Sequence, residues 1–169
     1  MFERVVIGVD PGMAATGLAV VALRDRTRPE VVHAETVRTP AGGAEAVRLR
    51  TVHRAVAEAL SAHRPEAVAL ERLLWGRNVG SAMSVARASG AVMVAAADAG
   101  VPVHEYGPLE VKMAVTGDGG ARKADLRRAL GRVHRIEDVP SEPDAADAVA
   151  VAVCHLQMAR GLRAAGAAR

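Results

Sequence analysis

The sequence predicts an α/β fold: one domain with a five-stranded sheet flanked by helices. Short β-branched runs near the N-terminus are separated by turn residues, which is typical of consecutive strands. Two later apolar runs, 67–71 and 101–104, alternate with segments of helical periodicity. The chain has 169 residues and is 50% hydrophobic, enough to bury the core of one domain. We expect this domain to span residues 1–160, with 161–169 as a frayed tail.

The first three strands follow from turn signals. Arg4–Val9 is β-branched and ends at Asp10-Pro11-Gly12, which predicts a strand that reaches a tight turn. Thr16–Leu23 should be its hairpin partner. A charged tip then leads to a third strand around Val31–Arg38.

The first helix is indicated by an apolar stripe at spacings of three and four, formed by Leu49, Val52, Val56 and Leu60. Pro65 ends it, and Ala67–Glu71 is a fourth strand that finishes on a carboxylate. The segment Asn78–Ala99 is apolar or small on almost every face, which predicts a helix covered on more than one side.

The C-terminal half contains one further strand and three helices. Val101–His104 is the fifth strand, and Pro108–Thr116 is a short helix. A glycine-rich linker, Gly117–Gly120, precedes a basic helix over Arg122–Val133. The last helix begins near Ser141 and should end at about Arg160.

Composition excludes several classes of protein. High apolar content with a net charge of +3 argues against intrinsic disorder. No signal peptide or membrane-spanning run is apparent, so we expect a cytoplasmic protein. The single Cys154 cannot form an internal disulfide and is best explained as a buried thiol. Of 22 cationic residues only Lys112 and Lys123 are lysines, which draws attention to both.

Four acids stand at the ends of apolar segments. Asp10 closes the first strand and Glu71 the fourth, while Asp144 and Asp147 lie on one face at the start of the last helix. If the first and fourth strands are neighbours, these acids can gather. An all-oxygen cluster suits Mg²⁺ or Mn²⁺, and two such ions could clamp both oxygens of a phosphodiester displacement.

Each acid also has a structural explanation. Asp10 could start a turn, and Glu71 could be a surface residue at a strand end. Asp144 could stabilise the helix N-terminus through the macrodipole. Asp147 is harder to explain in this way, since its neighbours on the helix are apolar.

Several motifs together resemble the RuvC-type Holliday-junction endonucleases. They are Ile7–Gly12 with Thr16-Gly17, Ala69–Glu71, Val111-Lys112 and Asp144–Ala148, in the order and spacing of that family. The resemblance covers about residues 5–155. It implies a ribonuclease-H-like fold with a mixed sheet in strand order 3-2-1-4-5, in which the first and fourth strands are adjacent.

The resemblance also implies the chemistry. Asp10, Glu71, Asp144 and Asp147 match the acidic positions that hold two divalent cations, and Asp144 matches a position where some members have His. The implied reaction hydrolyses a DNA phosphodiester to a 5′-phosphate and a 3′-hydroxyl, in recombination and repair. Lys112 and Lys123 coincide with family lysines near the scissile phosphate, although both could be ordinary exposed cations.

The loop after Glu71 departs from the family pattern. An aromatic residue usually follows the catalytic Glu by two or three positions, but here Leu73 and Leu74 fill them and Trp75 comes next. Trp75 could stack on bases near the junction centre, with Leu74 beside it, or could plug a core or interface. Arg72 and Arg77 are candidate phosphate contacts, as are the three basic-helix arginines Arg122, Arg127 and Arg128, and each could equally be solvated surface.

Paired cuts in a four-way junction call for a two-fold symmetric dimer, which the resemblance places at Asn78–Ala99. It also implies the RuvA–RuvB branch-migration complex as a partner. Three alternatives remain open: a related nuclease that processes ribosomal RNA precursors, a phosphotransferase whose phosphate loop starts at Asp10, and a catalytically silent DNA-binding module. The length of the chain argues against the second, and the four acids argue against the third.

Overall fold

The fold is a five-stranded sheet covered by helices on both faces. A computed structural model describes residues 4–25, 27–73 and 79–167, without the side chains of residues 79, 81 and 160–167. The elements in chain order are β1 (Arg4–Asp10), β2 (Ala15–Arg24), β3 (Arg28–Arg38), α1 (Glu45–His63), β4 (Ala67–Glu71), α2 (Val79–Asp98), β5 (Val103–Tyr106), α3 (Pro108–Thr116), α4 (Lys123–Arg132) and α5 (Pro143–Ala167).

The strand order is β3-β2-β1-β4-β5, as the family resemblance implies. β1, β2 and β3 form an antiparallel meander, whereas β4 and β5 run parallel to β1. The change from antiparallel to parallel pairing occurs between β2 and β4, on either side of β1. The carboxyl ends of β1 and β4 therefore lie at the same edge of the sheet.

Side chains alternate between two cores along the central strand. Ile7 and Val9 pack with α1 and α2 on one face, and Val6 packs with α3, α4 and α5 on the other. Within the described ranges, no helix is long and apolar enough to cross a membrane.

Two glycines let α5 lie directly against the sheet. A Cβ atom on Gly8 in β1 would stand 2.1 Å from the carbonyl oxygen of Ala148, and one on Gly17 in β2 would stand 1.9 Å from that of Asp144. Real Cβ atoms do not approach backbone this closely, so only glycine permits the contact. The first turns of α5 are thereby held over the end of β1.

Some element boundaries differ from the sequence prediction. The fifth strand was predicted at Val101–His104 but begins at Val103, because Val101 caps the preceding helix through its N–H to Ala96 and Pro102 has no N–H to donate to a ladder. The linker Gly117–Gly120 is a compact turn in which Asp118 Oδ1 accepts the Gly120 N–H.

The last helix was predicted to end at about Arg160, and α5 continues to Ala167. The predicted apolar stripe on α1 is confirmed for three of its four residues, since Val52, Val56 and Leu60 are buried. The proposed domain limit at residue 160 and the frayed tail remain predictions.

Replacing Gly8 with Ala should destabilise the protein, because its methyl group would collide with the backbone of α5. We expect the free energy of unfolding to fall by about 3 kcal/mol, measured by urea denaturation. Gly42→Ala is the matched control, since its Cβ would meet nothing within 4 Å and should change stability by less than about 0.5 kcal/mol. Equal stability of the two variants would contradict the close-packing interpretation.

Candidate active site

Asp10 and Glu71 end neighbouring strands. Val9 pairs with Leu70 in the parallel ladder between β1 and β4, so the acids that follow these residues stand side by side. The turn after Asp10 is fixed by the buried Thr16, whose hydroxyl donates to the carbonyl oxygen of Gly12 at 2.6 Å. The turn follows directly after Asp10, which lines the cavity described below.

The two acids of α5 occupy different positions. Asp147 lines the same cavity as Asp10 and Glu71, beside Val151 one turn further along the helix. Asp144 lies in the first turn of α5 and is not among the residues that line this cavity. It is nevertheless close enough to contribute to the electrostatic field at Lys123.

Both lysines lie at this cavity, which has a volume of about 270 Å³. Lys112 comes from α3, and Lys123 is the first residue of α4. Lys123 Nζ lies 2.5 Å from Asp147 Oδ2. The complete lining is Asp10, Glu71, Pro108, Val111, Lys112, Lys123, Leu126, Asp147 and Val151.

The site disfavours the ionised form of Asp10. Burial, a hydrogen bond with Glu71 and the charges of Glu71 and Asp147 together raise the pKa of Asp10 to about 8, against a lowering by Lys123. The pKa of Lys123 is raised chiefly by its hydrogen bond with Asp147. The site therefore favours additional positive charge.

The donor set fits a hard divalent cation. Asp10, Glu71 and Asp147 offer only carboxylate oxygens, the ligands that Mg²⁺ and Mn²⁺ prefer. In the described part of the chain, however, no group of three or more Asp, Glu, His or Cys side chains is arranged to hold a metal ion. Asp147 is paired with Lys123, and Asp10 is hydrogen-bonded to Glu71.

Part of the predicted DNA contact region falls in the loop after Glu71. Leu74, Trp75 and Arg77 lie outside the described residues. Arg72 lies within the described residues, and its Nη2 donates a hydrogen bond to Glu110 Oε2 at 3.2 Å. This glutamate also accepts the N–H of Gly107 at the start of α3, so Arg72 links the end of β4 to the helix that carries Lys112.

Sequence reasoning missed a partly buried polar pair between β5 and α5. Tyr106 Oη lies 2.8 Å from Nδ1 of His155, which joins β5 to the face of α5 that also carries Asp147 and Val151. Burial lowers the pKa of His155 to about 4 and raises that of Tyr106 to about 12, so both are neutral near pH 7. The expected burial of Cys154 is confirmed.

Sequence reasoning also did not identify Gly8 and Gly17 as the positions where α5 packs directly against the sheet. Gly8 and Gly17 entered the sequence argument only as members of a motif. A glycine inside a strand is itself a signal for close backbone approach, and this signal was available at both positions.

Comparison with known proteins agrees with this geometry. The family described as "Crossover junction endodeoxyribonuclease RuvC" matches residues 6–155. A protein of that name from Moorella thermoacetica is 40% identical over 154 residues, which is 91% of this chain and 92% of the relative. One from Mycolicibacterium vanbaalenii is 41% identical over 89% of this chain and 77% of its own length.

A solved structure is similar over nearly its whole length. T. thermophilus RuvC in complex with a Holliday junction substrate has a TM-score of 0.87 and 39% sequence identity, with 94% of this chain and 96% of that chain covered. The ribonuclease-H-like fold is thus confirmed.

The raised pKa of Asp10 predicts how the stability of the metal-free protein depends on pH. Between about pH 4 and 8 the folded state keeps a proton that the unfolded state releases, so its free energy of unfolding should fall as the pH rises, by on the order of 1 kcal/mol per pH unit. Asp10→Asn should remove this dependence and be the more stable protein at pH 8. Urea denaturation with EDTA at pH 5 to 8 measures it.

The control for this experiment is Asp138→Asn, at an exposed carboxylate away from the cavity. This variant should follow the wild-type pH dependence. Parallel curves for wild type and Asp10→Asn would show that Asp10 has an ordinary pKa.

Proposed function

The chain belongs to the RuvC family of crossover junction endodeoxyribonucleases and is a Holliday junction resolvase, and we propose that Asp10, Glu71 and Asp147 are the core of its active site. The observation that carries this proposal is the convergence of three carboxylates and Lys123 on one cavity. The alternatives of ribosomal RNA processing and silent DNA binding are not favoured, since the similar proteins are named for junction cleavage.

The carboxylates hold the catalytic metal. Nucleases of this family depend on divalent metal ions, and the all-oxygen donor set supports two Mg²⁺ or Mn²⁺ ions per subunit. Bound there, the ions would polarise the scissile phosphate and lower the pKa of the attacking water. Asp144 completes the set from the first turn of α5, and its place outside the cavity lining makes it the most replaceable of the four.

The carboxylates and Lys123 have separate roles in this proposal. Asp10, Glu71 and Asp147 would hold the ions from two strand ends and one helix. Lys123 approaches the phosphate with its ammonium and offsets negative charge that develops in the transition state. Its side chain is 76% exposed, so it can reach a substrate without a rearrangement of α4.

DNA lies across the cavity mouth in this proposal. Lys112 lines the cavity and Arg72 is exposed beside it, so both can contact phosphates. Leu74, Trp75 and Arg77, in the loop after Glu71, are assigned to the junction centre because that loop leaves the carboxylate edge of the sheet. Trp75 or Leu74 is the candidate for stacking on or wedging between the bases there.

Dimerisation through the 78–99 region gives two active sites for the two opposed strands. Its support is the apolar surface of α2: Met83 and Val94 are 46% and 54% exposed, while Ala88 and Val92 are buried beneath them. A partnership with RuvA–RuvB and a cytoplasmic location stay predictions from the resemblance and the substrate.

Asp147→Asn should abolish cleavage while leaving junction binding intact. Loss of one carboxylate ligand should lower the single-turnover rate by at least about 100-fold, whereas binding should persist because carboxylates only repel phosphates. Cleavage of a labelled synthetic four-way junction in Mg²⁺ and in Mn²⁺, with gel-shift binding in EDTA, measures both quantities. Excess EDTA should stop the wild type.

The matched control is Asp138→Asn, which should cut as the wild type does. Linear duplex and an RNA hairpin serve as comparison substrates. Full activity of Asp147→Asn, or of the wild type in excess EDTA, would refute the metal-centre assignment, and preferred cleavage of the RNA would refute the junction assignment.

Val94→Glu should convert the protein from a dimer to a monomer, since it places a charge within the apolar surface of α2. Light scattering after size-exclusion chromatography at micromolar concentration measures the mass. Val133→Glu is the control, because Val133 is 67% exposed but lies at the end of α4. A monomeric wild type, or a dimeric Val94→Glu, would contradict this interface.

A further inference from the structure

The contact between Lys123 and Asp147 sets the state of the carboxylate cluster before metal binds. Lys123 Nζ lies 2.5 Å from Asp147 Oδ2, and the Asp147 side chain is only 19% exposed. The ammonium also acts on Asp10 and Asp144 through space. One largely exposed side chain therefore interacts electrostatically with three of the acids.

The helix that carries Lys123 does not explain this placement. Lys123 is the first residue of α4, where the positive end of the helix dipole disfavours a cation. The α4 N-terminus is instead stabilised by Asp125, whose Oδ2 accepts the N–H of Arg122 at 3.1 Å. The carboxylates, not the helix, hold the ammonium in position.

Lys123 and a metal ion compete for the Asp147 carboxylate. An ammonium at hydrogen-bond distance from Asp147 Oδ2 hinders the approach of a metal ion to that oxygen, because two adjacent cations repel each other.

We propose that Lys123 is a built-in surrogate for the metal: its ammonium holds Asp147 in the metal-free enzyme, and a divalent ion displaces it when Asp147 coordinates. Metal loading then releases Lys123 toward the scissile phosphate, so that the lysine becomes available only when the metal centre is filled. This inference rests on the proposed metal centre.

If Lys123 and the metal compete for Asp147, removing Lys123 should strengthen metal binding and should lower the stability of the metal-free protein. Lys123→Met should bind Mn²⁺ more tightly, by about fivefold, as expected from the loss of an ion pair worth about 1 kcal/mol. The same variant should have a lower melting temperature in EDTA, because the acids lose their nearest cation. Isothermal titration calorimetry of the full chain without DNA measures the affinity, and thermal unfolding followed by circular dichroism measures the stability.

Lys112→Met is the matched control. It removes the same charge from the same cavity, but Lys112 forms no ion pair within the described residues. Its Mn²⁺ affinity and its melting temperature in EDTA should stay closer to wild type. Equal changes in the two variants would indicate general electrostatics and overturn the displacement.

A direct measurement needs no destabilising substitution. The chain has only two lysines, so selective ¹⁵N-lysine labelling gives two Nζ signals, assigned with Lys112→Met. In EDTA the Lys123 ammonium should be protected from hydrogen exchange by Asp147, and saturating Mg²⁺ should abolish that protection.

The possible results separate the two proposals. Tighter Mn²⁺ binding by Lys123→Met together with lost Lys123 protection supports displacement. Measurable metal binding with unchanged Lys123 protection, or with unchanged or weaker Mn²⁺ affinity in Lys123→Met, overturns it while leaving the metal centre standing. No Mg²⁺ or Mn²⁺ binding by the wild type or either variant would refute the metal centre, and the displacement with it.

Discussion

The contact of α5 with the glycines of β1 and β2 is the constraint on which the site depends. Gly8 and Gly17 have no Cβ atoms, so the backbone at Ala148 and Asp144 comes down onto the sheet. This fixes the height of α5 above β1 and therefore the distance from Asp147 to the end of that strand. A helix packed at the usual side-chain separation would hold its carboxylates further from Asp10.

Bringing the carboxylates together serves the function of the site but lowers the stability of the folded state. Burial and two neighbouring acids raise the pKa of Asp10 to about 8, which means that the folded state would be easier to form without them. Lys123 relieves part of this repulsion from α4, and Tyr106 and His155 tie β5 to α5 without adding charge. The same residues therefore affect both the stability of the fold and the chemistry of the site.

Most of the fold could be predicted from local patterns and the family motifs. The order of elements, the bounds of β4 and α3, and the adjacency of β1 and β4 are confirmed. The start of β5 was wrong by two residues because apolarity continues through Val101 and Pro102, while hydrogen bonding decides where a ladder begins. The end of α5 was set too early because alanines and glycines near Arg160 carry little periodic signal.

By itself the sequence determined which residues carry chemistry: acids at the ends of apolar segments, and two lysines in a chain that otherwise uses arginine. Only the tertiary structure decided which of them meet. It brings Asp10, Glu71, Asp147 and Lys123 to one cavity, leaves Asp144 outside its lining, and pairs Lys123 with Asp147 rather than with solvent. The reason is physical: side-chain type is local, whereas distance, burial and charge compensation arise from elements that are far apart along the chain and pack together.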